Sequence, residues 1–119
     1  MVGWNYRGYG HTPGTCTPYN IKADVESVLH FVLNELKIKG KIGMYGRSLG
    51  GVAATHTAAT FPDRISLLIA DRTFGSLKDV SLRKFSGKGT SALYDLITLK
   101  WETNSDRNFI KVRIYSLYL

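Results

Sequence analysis

A serine flanked by two glycines is the part of this sequence best suited to chemistry. Gly46, Ser48 and Gly50 form a G-x-S-x-G pattern, which is typical of a nucleophilic serine raised on a tight turn between a strand and a helix. A serine hydroxyl is a weak nucleophile unless a base removes its proton and donors stabilise the oxyanion that forms. We therefore predict that Ser48 attacks a carbonyl carbon, with the backbone N–H of Leu49 as one oxyanion donor.

The neighbouring residues predict the strand and the helix that such a turn requires. Residues 41–45 have the length and apolar content of a buried strand, and residues 51–59 are mostly small, as in a helix lying close to a sheet. We expect Ser48 to occupy a strained backbone conformation, and Gly46 and Gly50 to let neighbouring backbone pass without a Cβ in the way. The alternative is a tight turn that carries an incidental serine.

Helix signals lie before and after this turn. Thr17 is a suitable N-cap for an amphipathic helix that begins at Pro18, runs to about Lys37 and stops at Gly40. A second apolar pattern predicts a helix over residues 91–101. These segments alternate with the predicted strands, which indicates a parallel α/β sheet.

Three further segments have the composition of strands. They are residues 1–6, the apolar run 65–70, and residues 109–119, in which apolar and basic residues alternate. The run 65–70 is apolar throughout, as in a central parallel strand covered on both faces. Together these patterns predict a single domain with a parallel sheet of about four strands flanked by helices.

The base and the acid that would activate Ser48 are harder to find. His11 lies in a glycine-rich loop, His30 in the first helix, and His56 about two helical turns beyond Ser48, pointing away from it. Structural or solvated roles suit these histidines better, although His11 remains a candidate for substrate contact. Asp71 follows the apolar strand 65–70, where it is either a displaced catalytic acid or, more in keeping with its sequence, a residue that pins the following loop.

Size, charge and cysteine content limit the classes of protein that fit. The chain has 119 residues and a net charge of +7, but it carries no nucleic-acid-binding signature. A solvated basic surface is the simpler interpretation, and contact with anionic lipid headgroups is the alternative. Cys16 is the single cysteine, so no intrachain disulfide forms, and no apolar run reaches the length of a membrane span. We expect a cytoplasmic protein with peripheral membrane contact as an option.

These motifs resemble a known family. The sequence is similar to the middle of α/β-hydrolase-domain serine hydrolases, in the branch that contains bud-emergence-type hydrolases, depalmitoylases and serine aminopeptidase-like domains. The residues that carry the resemblance are 5–10 (Asn-Tyr-Arg-Gly-Tyr-Gly), Thr17-Pro18, Asp24, 45–51 (Tyr-Gly-Arg-Ser-Leu-Gly-Gly) and 69–74 (Ile-Ala-Asp-Arg-Thr-Phe). The resemblance implies a partial α/β-hydrolase fold over residues 1–119, from the fourth to about the seventh strand.

The resemblance also implies features that this sequence does not contain. In that family an oxyanion loop precedes the fourth strand, the triad Asp follows the seventh strand, and the triad His follows the eighth. No histidine follows His56 here, so we expect a truncated or misread gene product with little turnover by itself.

Three classes of function follow from these observations. The first is a serine hydrolase that acts on esters or thioesters, with a small molecule, a lipid or an acylated protein as substrate. It requires no cofactor or metal and no nucleic acid, and no specific protein partner can be inferred. The second is a non-catalytic hydrolase remnant that binds a partner or folds poorly. A basic module that binds nucleic acid or anionic lipid is a third interpretation, and it predicts salt-dependent binding.

Overall fold

A three-stranded parallel sheet organises the residues that the computed structural model describes, namely 1–73, 105–112 and 115–118. The predicted helix over residues 91–101 lies outside these ranges. The elements in chain order are α1 (Pro18–Asn34), β1 (Ile42–Arg47), α2 (Gly50–Thr60), β2 (Ile65–Asp71), α3 (Ser105–Lys111) and β3 (Tyr115–Tyr118).

The middle position in this sheet belongs to β2, which pairs in parallel with β1 on one side and with β3 on the other. Ile65, Leu68 and Ala70 of β2 are at most 1% exposed. The prediction that residues 65–70 form a central parallel strand is therefore confirmed. Leu67 is 42% exposed, so the expectation that both faces of this strand are covered is wrong. Arg47 lies opposite Asp71 in the register, so β1 and β2 end at the same edge of the sheet.

The N-terminal segment differs from the prediction. Residues 1–6 form no strand, although their aromatic composition favours one. A cleft of about 390 Å³ separates residues 1–4 and Tyr6 from Gly43, Met44 and Tyr45 of β1. Because a strand exists only when its backbone pairs with a neighbour, composition alone could not place this segment in the sheet. The described sheet has three strands rather than four.

Helix α1 begins as predicted and ends earlier. The N–H of Asn20 donates to Thr17 Oγ1 at 3.1 Å, which is the expected N-cap hydrogen bond. The helix ends at Asn34 rather than near Lys37. Lys37 has a φ of +52°. The left-handed residue that follows the helix is therefore Lys37 and not Gly40, the predicted stop.

The last segment is also more complex than its sequence pattern indicates. Among the described residues of this segment, 109–111 belong to α3 and Tyr115–Tyr118 form a strand. Asp106 in the first turn and Lys111 in the last turn match the helix dipole, and this favours a helix over the strand that alternation predicts. Phe109 and Val112 contact the core, which explains part of their apolar character.

Within the described residues, the core contains two apolar clusters that share α2. One contains Leu29, Ala54, Ala58, Ile65 and Leu68, and the other contains Ile21, Val25, Val52 and Ala53. The small residues of α2 let this helix lie close to both the sheet and α1, so the sequence prediction of a closely seated helix is confirmed. This seating fixes the start of α2, and with it the turn that carries Ser48.

Candidate active site

Ser48 occupies a strained turn at the edge of the sheet. It lies directly between the end of β1 and the start of α2, and its φ is +53°. Left-handed backbone is costly for a residue with a Cβ and persists only where the surroundings enforce it. Here the N–H of Ser48 donates to the carbonyl oxygen of Asp71 at 3.0 Å, and its own carbonyl accepts from the N–H of Gly51 at 3.0 Å. The turn is thus bonded to both β2 and α2.

Gly46 and Gly50 do not play the same steric part. A Cβ on Gly46 would lie 2.7 Å from the backbone nitrogen of Gly51 and would overlap the carbonyl of Gly50. This close backbone approach is the one that we expected of Gly46. A Cβ on Gly50 would have no described atom within 4 Å, so the expectation of a close approach there is wrong. The crowded position is Gly51, where a Cβ would overlap Thr73.

The Ser48 hydroxyl and the start of α2 lie next to each other at the turn. Ser48 is exposed, and its hydroxyl makes no hydrogen bond within the described part of the chain. Leu49 stands at the N-cap position of α2 without a side-chain cap. The first N–H groups of a helix have no partner inside it and carry a partial positive charge. The Leu49 amide therefore has the location that an oxyanion donor requires.

Asp71 is the last residue of β2, and its side chain bonds to Tyr45 and Arg72 rather than to a histidine. Its carboxylate accepts hydrogen bonds from Tyr45 Oη at 2.9 Å and from Arg72 Nε at 3.0 Å. The bond from Arg72 and then the bond from Tyr45 lower the pKa of Asp71, and the bond to Asp71 raises the pKa of Tyr45. These contacts fit the interpretation that Asp71 pins the loop after β2.

The three histidines have other surroundings. His56 Nε2 lies 2.6 Å from Glu26 Oε1, which joins α2 to α1. His30 is exposed, with its ring edge-on to Phe61 at a centroid distance of 6.1 Å. His11 is exposed in the glycine-rich loop. The structure thus brings no histidine into hydrogen-bond contact with Ser48.

The glycine-rich loop is tied to the start of α1. Arg7 Nε donates to Asp24 Oδ1 at 2.6 Å, and Arg7 also contacts Asn20 at 3.4 Å. Arg7 and Asp24 thus form an ion pair that joins the loop to α1. Beneath the loop, burial raises the pKa of Tyr6 to about 12. Burial also raises the pKa of Cys16, which disfavours the thiolate that a nucleophilic cysteine needs.

An apolar cleft adjoins the turn from the β1 side. It is bounded by residues 1–4 and Tyr6, by residues 43–45, and by Gly50, Ala53 and Ala54 of α2. The indole nitrogen of Trp4 is buried here without a hydrogen-bond partner in the described region. Within the same region no group of histidine, cysteine and carboxylate side chains could hold a metal ion. No described helix has both the length and the apolar content to cross a bilayer.

Sequence patterns did not identify two residues that contact this turn or its neighbour Asp71, namely Tyr45 and Thr73. Tyr45 was assigned only to a strand, and Thr73 only to the loop after Asp71. Both depend on the register of β1 against β2, which places Arg47 opposite Asp71. Tyr45 lies two residues before Arg47 and so on the same face of the sheet. A correct strand register is the signal that could have identified it.

A serine with left-handed backbone between a parallel strand and a helix is the arrangement found in serine hydrolases built on an α/β sheet. Comparison with known proteins agrees with this class. The sequence model of the family described as alpha/beta hydrolase fold matches residues 2–102. This chain therefore belongs to the α/β-hydrolase family.

Relatives and one solved structure extend the comparison. Protein bem46 of Schizosaccharomyces pombe is 34% identical over 108 residues, which cover 90% of this chain and 36% of bem46. Phosphatidylserine lipase ABHD16A of Bos taurus is 32% identical over 84 residues, covering 70% of this chain and 15% of the lipase. The crystal structure of a Paleococcus ferrophilus monoacylglycerol lipase superposes with a TM-score of 0.59 at 18% identity, covering 96% of this chain and 59% of that one. This chain spans about a third of the length of bem46, and the solved structure supports the fold.

Gly46 and Gly50, the two glycines of the G-x-S-x-G motif, provide a first test of the turn. Gly46→Ala places a methyl group against the backbone of Gly50 and Gly51, and we expect the free energy of unfolding to fall by about 1–3 kcal/mol. Gly50→Ala is the matched control, because the methyl group meets no described atom within 4 Å and alanine favours a helix by about 0.5–1 kcal/mol. Urea denaturation followed by circular dichroism measures both. Equal stability of the two variants would contradict this account of the turn.

The Tyr45–Asp71 hydrogen bond predicts a change in pKa. Tyr45→Phe removes one donor to the carboxylate, so we expect the pKa of Asp71 to rise towards its ordinary value, as measured by NMR titration of the carboxyl carbon. A carboxylate with a lowered pKa stabilises the fold at neutral pH and loses that effect as pH falls through its folded pKa. The stability difference between wild type and Tyr45→Phe should therefore shrink in acid. Tyr19→Phe, on an exposed residue, is the control, and a similar shift there would refute the assignment.

Proposed function

We propose that this chain is the nucleophile-bearing part of a serine hydrolase that acts on esters or thioesters. The left-handed backbone of Ser48, between a parallel strand and a helix, is the observation that carries the proposal. Such a turn places the hydroxyl at the carboxyl edge of the sheet, close to the N-terminal end of α2. We further propose that residues 1–119 correspond to the fourth to about the seventh strand of the α/β-hydrolase fold.

The proposed chemistry is acyl transfer. Ser48 Oγ would form a bond to the carbonyl carbon of the substrate and give its proton to a base. The Leu49 amide would stabilise the oxyanion, and the alcohol or thiol would leave as the carbonyl reforms. Water would then attack the acyl-enzyme and release the acid. No metal or cofactor enters this sequence of steps.

Among the described residues, no histidine base or carboxylate side chain is in hydrogen-bond contact with the Ser48 hydroxyl. His56 is paired with Glu26, and the carboxylate of Asp71 is engaged by Tyr45 and Arg72. Without a general base, acyl transfer loses about 10²–10⁴-fold in rate. We therefore propose that the chain by itself holds the nucleophile in place but reacts and turns over slowly.

We favour a substrate whose acyl group lies at the surface of an anionic membrane. The relative ABHD16A is a phosphatidylserine lipase by name, and this chain carries a net charge of +7. A basic protein concentrates at membranes that contain anionic lipids. We propose a cytoplasmic location with peripheral contact to such membranes, and a lipid or an acylated protein as substrate.

A non-catalytic remnant is the competing function. It is favoured by the Glu26 partner of His56 and by the open cleft beside β1. Under this alternative Ser48 keeps the geometry of the family without its chemistry. Covalent labelling of the serine separates the two possibilities, because a remnant has no reason to retain a reactive hydroxyl.

A fluorophosphonate probe tests the nucleophile directly. We expect wild-type 1–119 to be labelled slowly on long exposure, because no base contacts Ser48 among the described residues, and Ser48→Ala to be unlabelled, while hydrolysis of p-nitrophenyl butyrate stays near the uncatalysed rate. Ser27→Ala, which removes an exposed hydroxyl from α1, should be labelled like the wild type. Absence of Ser48-dependent labelling in folded protein would overturn the proposal. Rapid ester turnover would show instead that this chain supplies its own base.

Vesicle flotation tests the proposed membrane contact. We expect the chain to bind vesicles that contain phosphatidylserine at low salt, to bind phosphatidylcholine vesicles weakly, and to be released as the salt concentration rises. Equal binding to both lipids would point to insertion of apolar surface rather than to charge. No binding to phosphatidylserine at low ionic strength would remove the membrane proposal and leave the proposed nucleophile standing.

A further inference from the structure

We propose that Thr73 is a positioning residue, which holds the backbone of Ser48 in its left-handed conformation by a hydrogen bond from its side chain. The inference deepens the proposed function, because the consequence for catalysis rests on Ser48 being the nucleophile. The structural part, that Thr73 restrains the turn, stands independently. The key contact is the Thr73 hydroxyl, which donates to the carbonyl oxygen of Ser48 at 2.8 Å.

This contact completes the attachment of Ser48 to the segment that follows β2. The N–H of Ser48 already donates to the carbonyl oxygen of Asp71 at 3.0 Å. Both backbone polar groups of Ser48 are therefore bonded within the stretch 71–73. The second bond to the Ser48 carbonyl comes from the N–H of Gly51 in the first turn of α2, the helix that directly follows Ser48 in the chain. Thr73 is thus the side chain that ties this turn to a separate element.

The surrounding backbone is shaped to admit the threonine. Gly51 is buried, and a Cβ there would overlap both Oγ1 and Cβ of Thr73. Arg72 has a φ of +46°, so the chain reverses immediately before Thr73 and brings it back against α2. The Thr73 hydroxyl thus joins two turns that each contain a non-glycine residue in left-handed conformation, Ser48 in one and Arg72 in the other. Left-handed backbone at such residues persists when the surroundings over-determine it.

Removing the hydroxyl while keeping the shape of the side chain is the sharpest test. Thr73→Val loses the hydrogen bond to Ser48, and Thr73→Ser retains it. Thr57→Val is the matched control, because Thr57 Oγ1 donates to the carbonyl of Ala53 over the same 2.8 Å at a distance from the turn. Two quantities are measured in ¹⁵N-labelled protein. They are the hydrogen-exchange rate of the Ser48 amide and the scalar coupling between its amide proton and Hα, which reports φ.

We expect Thr73→Val to accelerate exchange of the Ser48 amide about fivefold and to change its coupling, since one hydrogen bond that restrains the turn is lost. Thr73→Ser and Thr57→Val should stay within about twofold of the wild type at Ser48. Unchanged exchange and coupling in Thr73→Val would overturn the proposal. If Thr73→Val does not fold, Thr73→Ser decides, because loss of Ser48 protection despite a retained hydroxyl would also overturn it.

Labelling with the fluorophosphonate probe separates this inference from the proposed function. Slower labelling of Thr73→Val, with recovery in Thr73→Ser, supports both. A wild type that is not labelled, but in which Thr73→Val still loosens Ser48, refutes the nucleophile and keeps the positioning residue. Wild-type labelling that Thr73→Val leaves unchanged, together with unchanged exchange, refutes the positioning residue and keeps the nucleophile.

Discussion

The left-handed backbone of Ser48 is the constraint on which this structure depends. It forces β1 to turn into α2 within a few residues, and this turn is accommodated because Gly46 carries no side chain. The strain is held by bonds from two directions, from Asp71 on the neighbouring strand and from Gly51 on the helix. The small residues of α2 then bring the helix against the sheet, so the core and the serine are positioned by the same geometry.

Local sequence patterns were sufficient for the elements around the serine. The strand before it, the helix after it and the N-cap at Thr17 all follow from residues within a few positions of one another. Long-range pairing was not predictable in the same way. Residues 1–6 have the composition of a strand but no paired neighbour. Residues 109–111 alternate like a strand but join a short helix, in which charge placement and core contacts favour the helical state.

The candidate site shows the same division between local and long-range information. The positions of Ser48 and Leu49 could be predicted because the turn that carries them is encoded by adjacent residues. The partners of Asp71 could not, because Tyr45 reaches it across the β1–β2 register. Gly50 shows a further limit, since the steric demand that its place in the motif suggests falls on Gly51. Sequence spacing does not reveal that His56 contacts Glu26, because this contact joins two helices that are distant in the chain.

The pairing of β1 with β2 has a consequence for the order of folding. The serine turn and the described residues that bond to it all lie within residues 42–73. Strand β3, in contrast, joins the sheet from residue 115 onwards. Contacts of short sequence separation form faster than those that close long loops. We therefore expect the serine turn to be assembled early, on a growing chain, before the third strand has been synthesised.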